Sequence, residues 1–373
     1  MSRQSNGMKT CALIVLAFLL QALVIPVRAE SGRVNGRPPL LETNGSFRIP
    51  VQEWPLKPGP REVVVHVRYP GPERHRRNIR PTTGLMLSLH NWGGTGFVGT
   101  ADPDVLADTF DVVAIGVDYL QSGRQASIDD PEPYDFGWLQ ALDALRALHG
   151  VMEGLVQAGI SFDRSRIFTT GGSGGGNVSL MANKLAPRTF AVVIDLCGMK
   201  KLSDDIAFNL PGGSELNARY VRDPAHTFLL SPDAQELRFL GHPGHLAIMK
   251  HLGCSASIIT VHGVDDRTCP DVDEFVANMK ASGLDFTHVP VTRERIDGRI
   301  FTSTGHALGD RTRIVEQVAG RYLDPRSPQA LRRQGPTDFE RREAIRYPTQ
   351  NGVWVVNYAS GDPVGHFERK PQP

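Results

Sequence analysis

The sequence predicts an α/β fold built on a mainly parallel, doubly wound sheet. Three observations carry this reading. The strand-like runs at 84–89, 112–117, 167–170, 191–196 and 257–261 are continuous in Val, Ile and Leu rather than alternating, as strands buried on both faces are. Helix-period patterns separate the runs, and alternation of this kind requires crossover helices on both sides of a parallel sheet. At Ile167–Leu185 a β-branched run meets Gly171-Gly172-Ser173-Gly174-Gly175, and a helix-competent segment follows at once.

Taken in order, the chain opens with Arg3 and Lys9 ahead of an apolar run from Cys11 to Val27, interrupted only by Gln21 and Pro26. Val27-Arg28-Ala29 then resembles a small-x-small cleavage site, so residues 1–29 are read as a signal peptide and the mature chain starts near Glu30. The competing reading is an uncleaved anchor, but the run is short for a full span and Pro26 suits a cleavage region. Residues 30–60 are rich in Pro, Gly and Arg and read as an extended lead-in. The main domain is placed at 61–325, its first strand at Val63–Val67. Helix faces come from Trp138, Leu142 and Leu145 after Pro133, from Val178, Met181 and Leu185, from Phe275 and Met279 after Pro270, and from Ile314, Val318 and Tyr322. Residues 198–252 interrupt the alternation after the sixth strand. Such a segment above the carboxyl ends of the strands is either a cap-like insertion or a structural excursion. The extension at 326–373 is charged and Pro-rich, and its alternating Val353–Tyr358 is expected to add an edge strand.

The composition is that of an ordinary globular protein, with 40% hydrophobic residues, 22% charged residues and a formal net charge of +1. No basic excess points to a nucleic-acid partner. No segment after the leader is apolar enough to span a bilayer, so no integral membrane segment is expected after signal cleavage. The destination is periplasmic or secreted. Cys197, Cys254 and Cys269 remain in the mature chain without metal-site spacing, and an oxidising compartment would allow one disulfide.

The turn at Ser173 carries the chemistry. Strand, strained turn and helix in this order raise a serine hydroxyl at the tip, and small neighbours let the turn form between strand and helix. Ser173 is expected at the helix N-terminus, where unpaired N–H groups and the helix dipole favour developing negative charge. A serine nucleophile needs a base, an acid that orients the base, and donors for an oxyanion. The acid lies in Val261-His262-Gly263-Val264-Asp265-Asp266, a strand end leading to a helix opened by Pro270. Asp266 is preferred to Asp265, and Asp204 or Asp205 is weaker. These aspartates would otherwise serve as turn or helix caps. The base is His306 in Thr304-Gly305-His306, a Gly-flanked loop beyond the last sheet strand, while His262 suits a supporting role. His242, His245 and His251 belong to the insertion and do not make a convincing metal set. The oxyanion donors are placed on Gly174 and on the Leu89-His90-Asn91-Trp92-Gly93-Gly94 loop, where His90 braces rather than reacts.

These four pieces, in the chain order Ser…Asp…His, resemble the α/β-hydrolase superfamily over roughly residues 60–325. Phe162-Asp163-x-x-Arg166-Ile167 ahead of the Ser173 turn is similar to the approach in prolyl-oligopeptidase-type enzymes, feruloyl esterases and polyester depolymerases. Those relatives usually carry His-Gly in the oxyanion loop. Asn91 stands in place of that glycine, which leaves open whether the N–H of Asn91 or of Trp92 faces the substrate, with Trp92 favoured. In this fold Cys197 ends one strand and Cys269 lies on the loop leaving the next, at the same sheet edge. Cys254 falls at the opposite edge, so the expected disulfide is Cys197–Cys269. The resemblance implies a serine hydrolase of carboxylic esters, on a small-molecule or polymeric substrate and without metal or organic cofactor, and the leader makes it an exported one. A peptidase of prolyl-oligopeptidase type and a non-catalytic binding relative are the alternatives.

Overall fold

The computed structural model describes residues 40–371. The leader read at 1–29 lies outside them. Eight strands form the main sheet: β1 (Gly45–Val51), β2 (Arg61–Arg68), β3 (Gly84–Leu89), β4 (Val112–Asp118), β5 (Ile167–Gly172), β6 (Val192–Leu196), β7 (Ser257–Gly263) and β8 (Phe286–Val291). Their order is β1-β2-β4-β3-β5-β6-β7-β8. β1, β2 and β4 pair antiparallel, and every pair from β4–β3 to β7–β8 is parallel. The continuous apolar runs are the central strands, and all residues of β3, β5, β6 and β7 are buried. The edges alternate instead, because one face of β1 and much of β8 meet solvent.

Helices cover both faces. They are α1 (Pro103–Phe110), α2 (Trp138–Gln157), α3 (Gly174–Leu185), α4 (Asp204–Phe208), α5 (Pro232–Leu237), α6 (Pro243–His251), α7 (Val272–Ser282), α8 (Arg311–Leu323) and α9 (Asp338–Arg341). One core joins α2, α3, α6 and α7 to the sheet through Leu142, Leu145, Met181, Leu246 and Phe275. The other lies under α1 and α8, with Phe110, Ile314 and Val315 against Ile194 and Val261.

Three features differ from the sequence reading. The lead-in contains β1, whose Ile49 and Val51 are buried in period two against β2, a pattern masked by the surrounding Pro and Gly. Residues 198–252 serve two ends. Leu246 and Met249 of α6 join the main core, while Met199, Leu202, Ile206, Ala218 and Leu230 build a separate cluster with Tyr134, Phe136 and Cys269, on which Trp92 packs. The third is a correction: the tail does not extend the main sheet. Its strands β9 (Ala344–Pro348), β10 (Gly352–Asn357) and β11 (Val364–Arg369) pair with each other in an antiparallel sheet ordered β11-β10-β9. The cause is an apolar face with a better partner than a sheet edge: Trp354 meets Trp138 of α2 edge-on at 4.9 Å.

Candidate active site

The turn between β5 and α3 holds Ser173 at φ 55, ψ −119, a conformation that costs a non-glycine residue about 1–3 kcal/mol. Its N–H donates to the Leu196 carbonyl at 2.8 Å, which fixes the turn against the neighbouring strand. Close approach dictates the glycines after it. A Cβ on Gly175 would lie 2.1 Å from the Leu89 carbonyl oxygen and 2.6 Å from that of His90, so only glycine lets α3 start beneath the β3 loop.

Ser173 Oγ lies 2.9 Å from His306 Nε2, and His306 Nδ1 lies 2.9 Å from Asp266 Oδ2. A carboxylate only accepts, so Nδ1 carries the proton and Nε2 presents its lone pair to the serine hydroxyl. Asp266 Oδ1 accepts from the N–H groups of Thr268 at 2.9 Å and Cys269 at 3.0 Å. Burial pushes the Asp266 carboxyl up. The hydrogen bond and charge of His306, the Cys269 N–H and His262 outweigh it and hold the pKa down to about 2. Asp265, by contrast, is exposed and accepts from Thr304 Oγ1 at 2.7 Å, while its N–H donates to the Thr304 carbonyl at 2.9 Å. It ties the acid loop to the His306 loop. Asp204 and Asp205 are committed to Arg222 and to the Ser214 N–H.

His262 supports the acid. Its Nε2 donates to the Cys269 carbonyl at 2.9 Å and lies 3.3 Å from Asp266 Oδ2. Burial, then the charge of Lys200, pulls its pKa down to about 4, so the ring is neutral.

In the loop expected to carry an oxyanion donor, the Asn91 N–H donates to the Val98 carbonyl at 3.0 Å and is thereby spent. A Cβ on Gly174 would fall 2.6 Å from the Trp92 backbone nitrogen, so that nitrogen packs against the residue after Ser173. The Gly174 N–H, first in α3, is free of intrahelical pairing. His90 is buried below this loop. It stacks on Tyr119 at 4.0 Å and reaches Ser122 Oγ at 2.6 Å, and burial lowers its pKa to about 4. Tyr119 Oη also donates to the His90 carbonyl at 2.5 Å.

The Cys197–Cys269 disulfide is not present. Both cysteines are free and buried, and Cys254 is free as well. Cys197 sits at φ 51, with its N–H on the Val261 carbonyl at 2.9 Å. Its Sγ lies within 4.8 Å of a carboxylate oxygen of Asp266 and a ring nitrogen of His306. The thiol is thus grouped with the acid and base, and burial and the Asp266 charge push its pKa well up. Sequence reasoning treated this residue only as a disulfide partner. It also missed the buried ion pair of Lys200 Nζ with Asp195 Oδ2 at 2.6 Å. Asp195 Oδ1 accepts the Gly198 N–H at 2.8 Å, so the pair holds the turn leaving β6 behind the serine. An Asp two residues before Cys197 and a Lys three after it, flanking a glycine, were the only local signal.

No helix among the described residues is long and apolar enough to cross a membrane. The fold is similar to that of Pyrococcus horikoshii acylaminoacyl peptidase, with 15% identity, a TM-score of 0.52 and coverage of 76% of this chain and 42% of that one. It is also similar to a Mycobacterium tuberculosis puromycin-hydrolyzing peptidase, with 17% identity, a TM-score of 0.51 and coverage of 77% and 41%. The chain spans about two fifths of the length of these structures. The strand order and these likenesses make the architecture an α/β-hydrolase fold. No curated protein matches the chain by sequence. The profile of a family described as "Protein of unknown function (DUF2920)" matches residues 130–362, more than half of the chain. The chain belongs to the DUF2920 family.

Proposed function

We propose that this protein is a serine hydrolase that cleaves carboxylic esters through an acyl-enzyme. The observation that carries the reading is the unbroken hydrogen-bonded series Ser173–His306–Asp266, with both links at 2.9 Å. His306 Nε2 takes the hydroxyl proton as Ser173 Oγ attacks the ester carbonyl. The N–H groups of Trp92 and Gly174 hold the oxyanion. Asp266 keeps the His306 tautomer and stabilises the imidazolium, which then gives its proton to the leaving alcohol. Water, deprotonated by His306 in turn, releases the acid. The reading places the enzyme outside the cytoplasm, on the strength of the leader at 1–29.

Amide hydrolysis is the second reading, favoured by the likeness of the fold to an acylaminoacyl peptidase and a puromycin-hydrolyzing peptidase. Fluorophosphonate labelling, followed by turnover of p-nitrophenyl esters and aminoacyl naphthylamides, separates the readings, with Ser173→Ala as control. Labelling and ester turnover that vanish in the control support the proposal. Amide turnover above ester turnover replaces it with the second reading, and an unlabelled protein removes both.

A further inference from the structure

A second constellation lies in the segment 198–252. Glu236 sits near the end of α5, His242 caps α6, and His245 occupies its first turn. A carboxylate oxygen of Glu236 and one ring nitrogen of each histidine all lie within 4.8 Å of one another. Glu236 Oε1 and His242 Nε2 are 3.4 Å apart, and the two imidazoles stand 4.2 Å apart, centre to centre.

His245 is the informative member. It is fully buried, and its Nε2 donates to the Pro348 carbonyl of β9 at 3.1 Å. A neutral ring that donates from Nε2 keeps a lone pair on Nδ1, and that atom is buried without a hydrogen-bond partner. An acceptor sealed from water in this way costs about 1–3 kcal/mol. Helix capping accounts for His242, whose Nδ1 accepts the His245 N–H at 3.3 Å, and does not account for His245. A histidine that commits one ring nitrogen to a backbone carbonyl and offers the other to its neighbours is arranged as metal ligands are.

From this geometry we infer that Glu236, His242 and His245 form a binding site for a divalent zinc ion. Two imidazole nitrogens and one carboxylate oxygen are zinc donors, and bonds of about 2.0–2.1 Å put tetrahedral ligands roughly 3.4 Å apart. The Glu236–His242 pair already has that spacing, and a ring nitrogen of His245 lies within 4.8 Å of both ligand atoms. The ion takes the place of the proton between His242 Nε2 and Glu236. That proton moves to Nδ1 of the same ring, at the expense of the long capping bond. The ligating form of both rings is the neutral imidazole. The opposing charge is Lys184, whose Nζ donates to the carbonyls of Leu237 at 2.7 Å and Phe239 at 3.0 Å. The other metal-capable group among the described residues, Cys197 with Asp266 and His306, belongs to the site described above. A zinc ion at Glu236 would fasten α5 to α6 and, through His245 and Pro348, to the tail sheet.

The test is zinc titration of the EDTA-treated, buffer-exchanged chain, read by elemental analysis and by thermal unfolding. The expected result is one zinc per chain at micromolar affinity or better, with a rise of several degrees in Tm. Glu236→Gln and His245→Ala should each weaken binding by at least about 100-fold, the upper end of what loss of a ligand's supporting partner costs. Glu236 is partly exposed, so its variant reads the site even where His245→Ala fails to fold, and its ester turnover should stay unchanged. Binding weaker than millimolar would overturn the inference. So would a zinc equivalent that persists in Glu236→Gln and is lost in His306→Gln, since it would place the ion on the Ser173 site.

Discussion

Exchange of Asp266 for Asn tests the proposed chemistry at its most constrained atom. The amide keeps an oxygen to accept the Thr268 and Cys269 N–H groups, which now bond Oδ1 at 2.9 and 3.0 Å, so the loop has no reason to move. Its nitrogen then replaces the Oδ2 that accepts from His306. A donor at that place makes Nδ1 of His306 an acceptor, and the ring proton transfers to Nε2. Nε2 now points an N–H at Ser173 Oγ instead of a lone pair, so the hydroxyl has no base. The same exchange in a serine-protease triad costs about 10⁴ in kcat, which corresponds to about 5 kcal/mol of barrier. Asp266 here has the same single link to the base, and that magnitude is expected. The assay is steady-state p-nitrophenyl ester hydrolysis, with kcat and KM separated and the fold checked by circular dichroism. KM should change little. Asp265→Asn, which loses only the Thr304 contact, should retain at least a third of kcat. A loss below tenfold in Asp266→Asn, or an equal loss in Asp265→Asn, would refute the assignment of the acid.

Gly175→Ala should destabilise the fold by about 3 kcal/mol in denaturant titration and displace the oxyanion loop, because its Cβ meets the Leu89 and His90 carbonyls. Lys200→Met leaves Asp195 as a buried, unpaired carboxylate and should cost about 3 kcal/mol by the same measurement. Thiol titration in denaturant without reductant should find Cys197, Cys254 and Cys269 all reactive; a single reactive thiol among them would restore a disulfide. In the native protein, Cys197 and Cys269 should react slowly, since both are buried. Acid unfolding should register Asp266, whose pKa is depressed from 3.8 to about 2 in the folded state. A depressed carboxylate contributes stability above its unfolded pKa and loses it as pH falls through the folded one. The contribution should therefore disappear between pH 3.8 and about 2, and Asp266→Asn should lack that part of the curve.

The readable parts of the chain were those where one physical demand acts on adjacent residues. Burial on both faces makes β5, β6 and β7 continuous apolar runs, and a turn squeezed between strand and helix demands glycine around Ser173. β1 was hidden because its partner β2 supplies half of the pattern, and the Pro and Gly around it read as lead-in. The tail sheet was misassigned because a period-two run states that a face is buried, and not against what; Trp138, more than 200 positions away, decides that.

The same distinction explains why Ser173, Asp266 and His306, which the structure brings into one hydrogen-bonded series, could be nominated from sequence while Cys197 was misjudged. Ser173, Asp266 and His306 each sit just beyond a strand or in a Gly-flanked loop, so local pattern and chain order suffice to nominate them. The side on which Cys197 presents its thiol depends on a single torsion, φ 51 at the end of β6, in a residue type that rarely adopts it. Strand topology brings Cys197 and Cys269 to one sheet edge, and proximity alone suggests a disulfide. The left-handed turn puts the sulfur within 4.8 Å of Asp266 and His306. Backbone strain at Cys197 and at Ser173 thus falls on two adjacent strand ends, and the Asp195–Lys200 pair pins the turn that holds Cys197. Removing that pair should therefore perturb the serine as well as the stability, which makes kcat of Lys200→Met as informative as its unfolding curve.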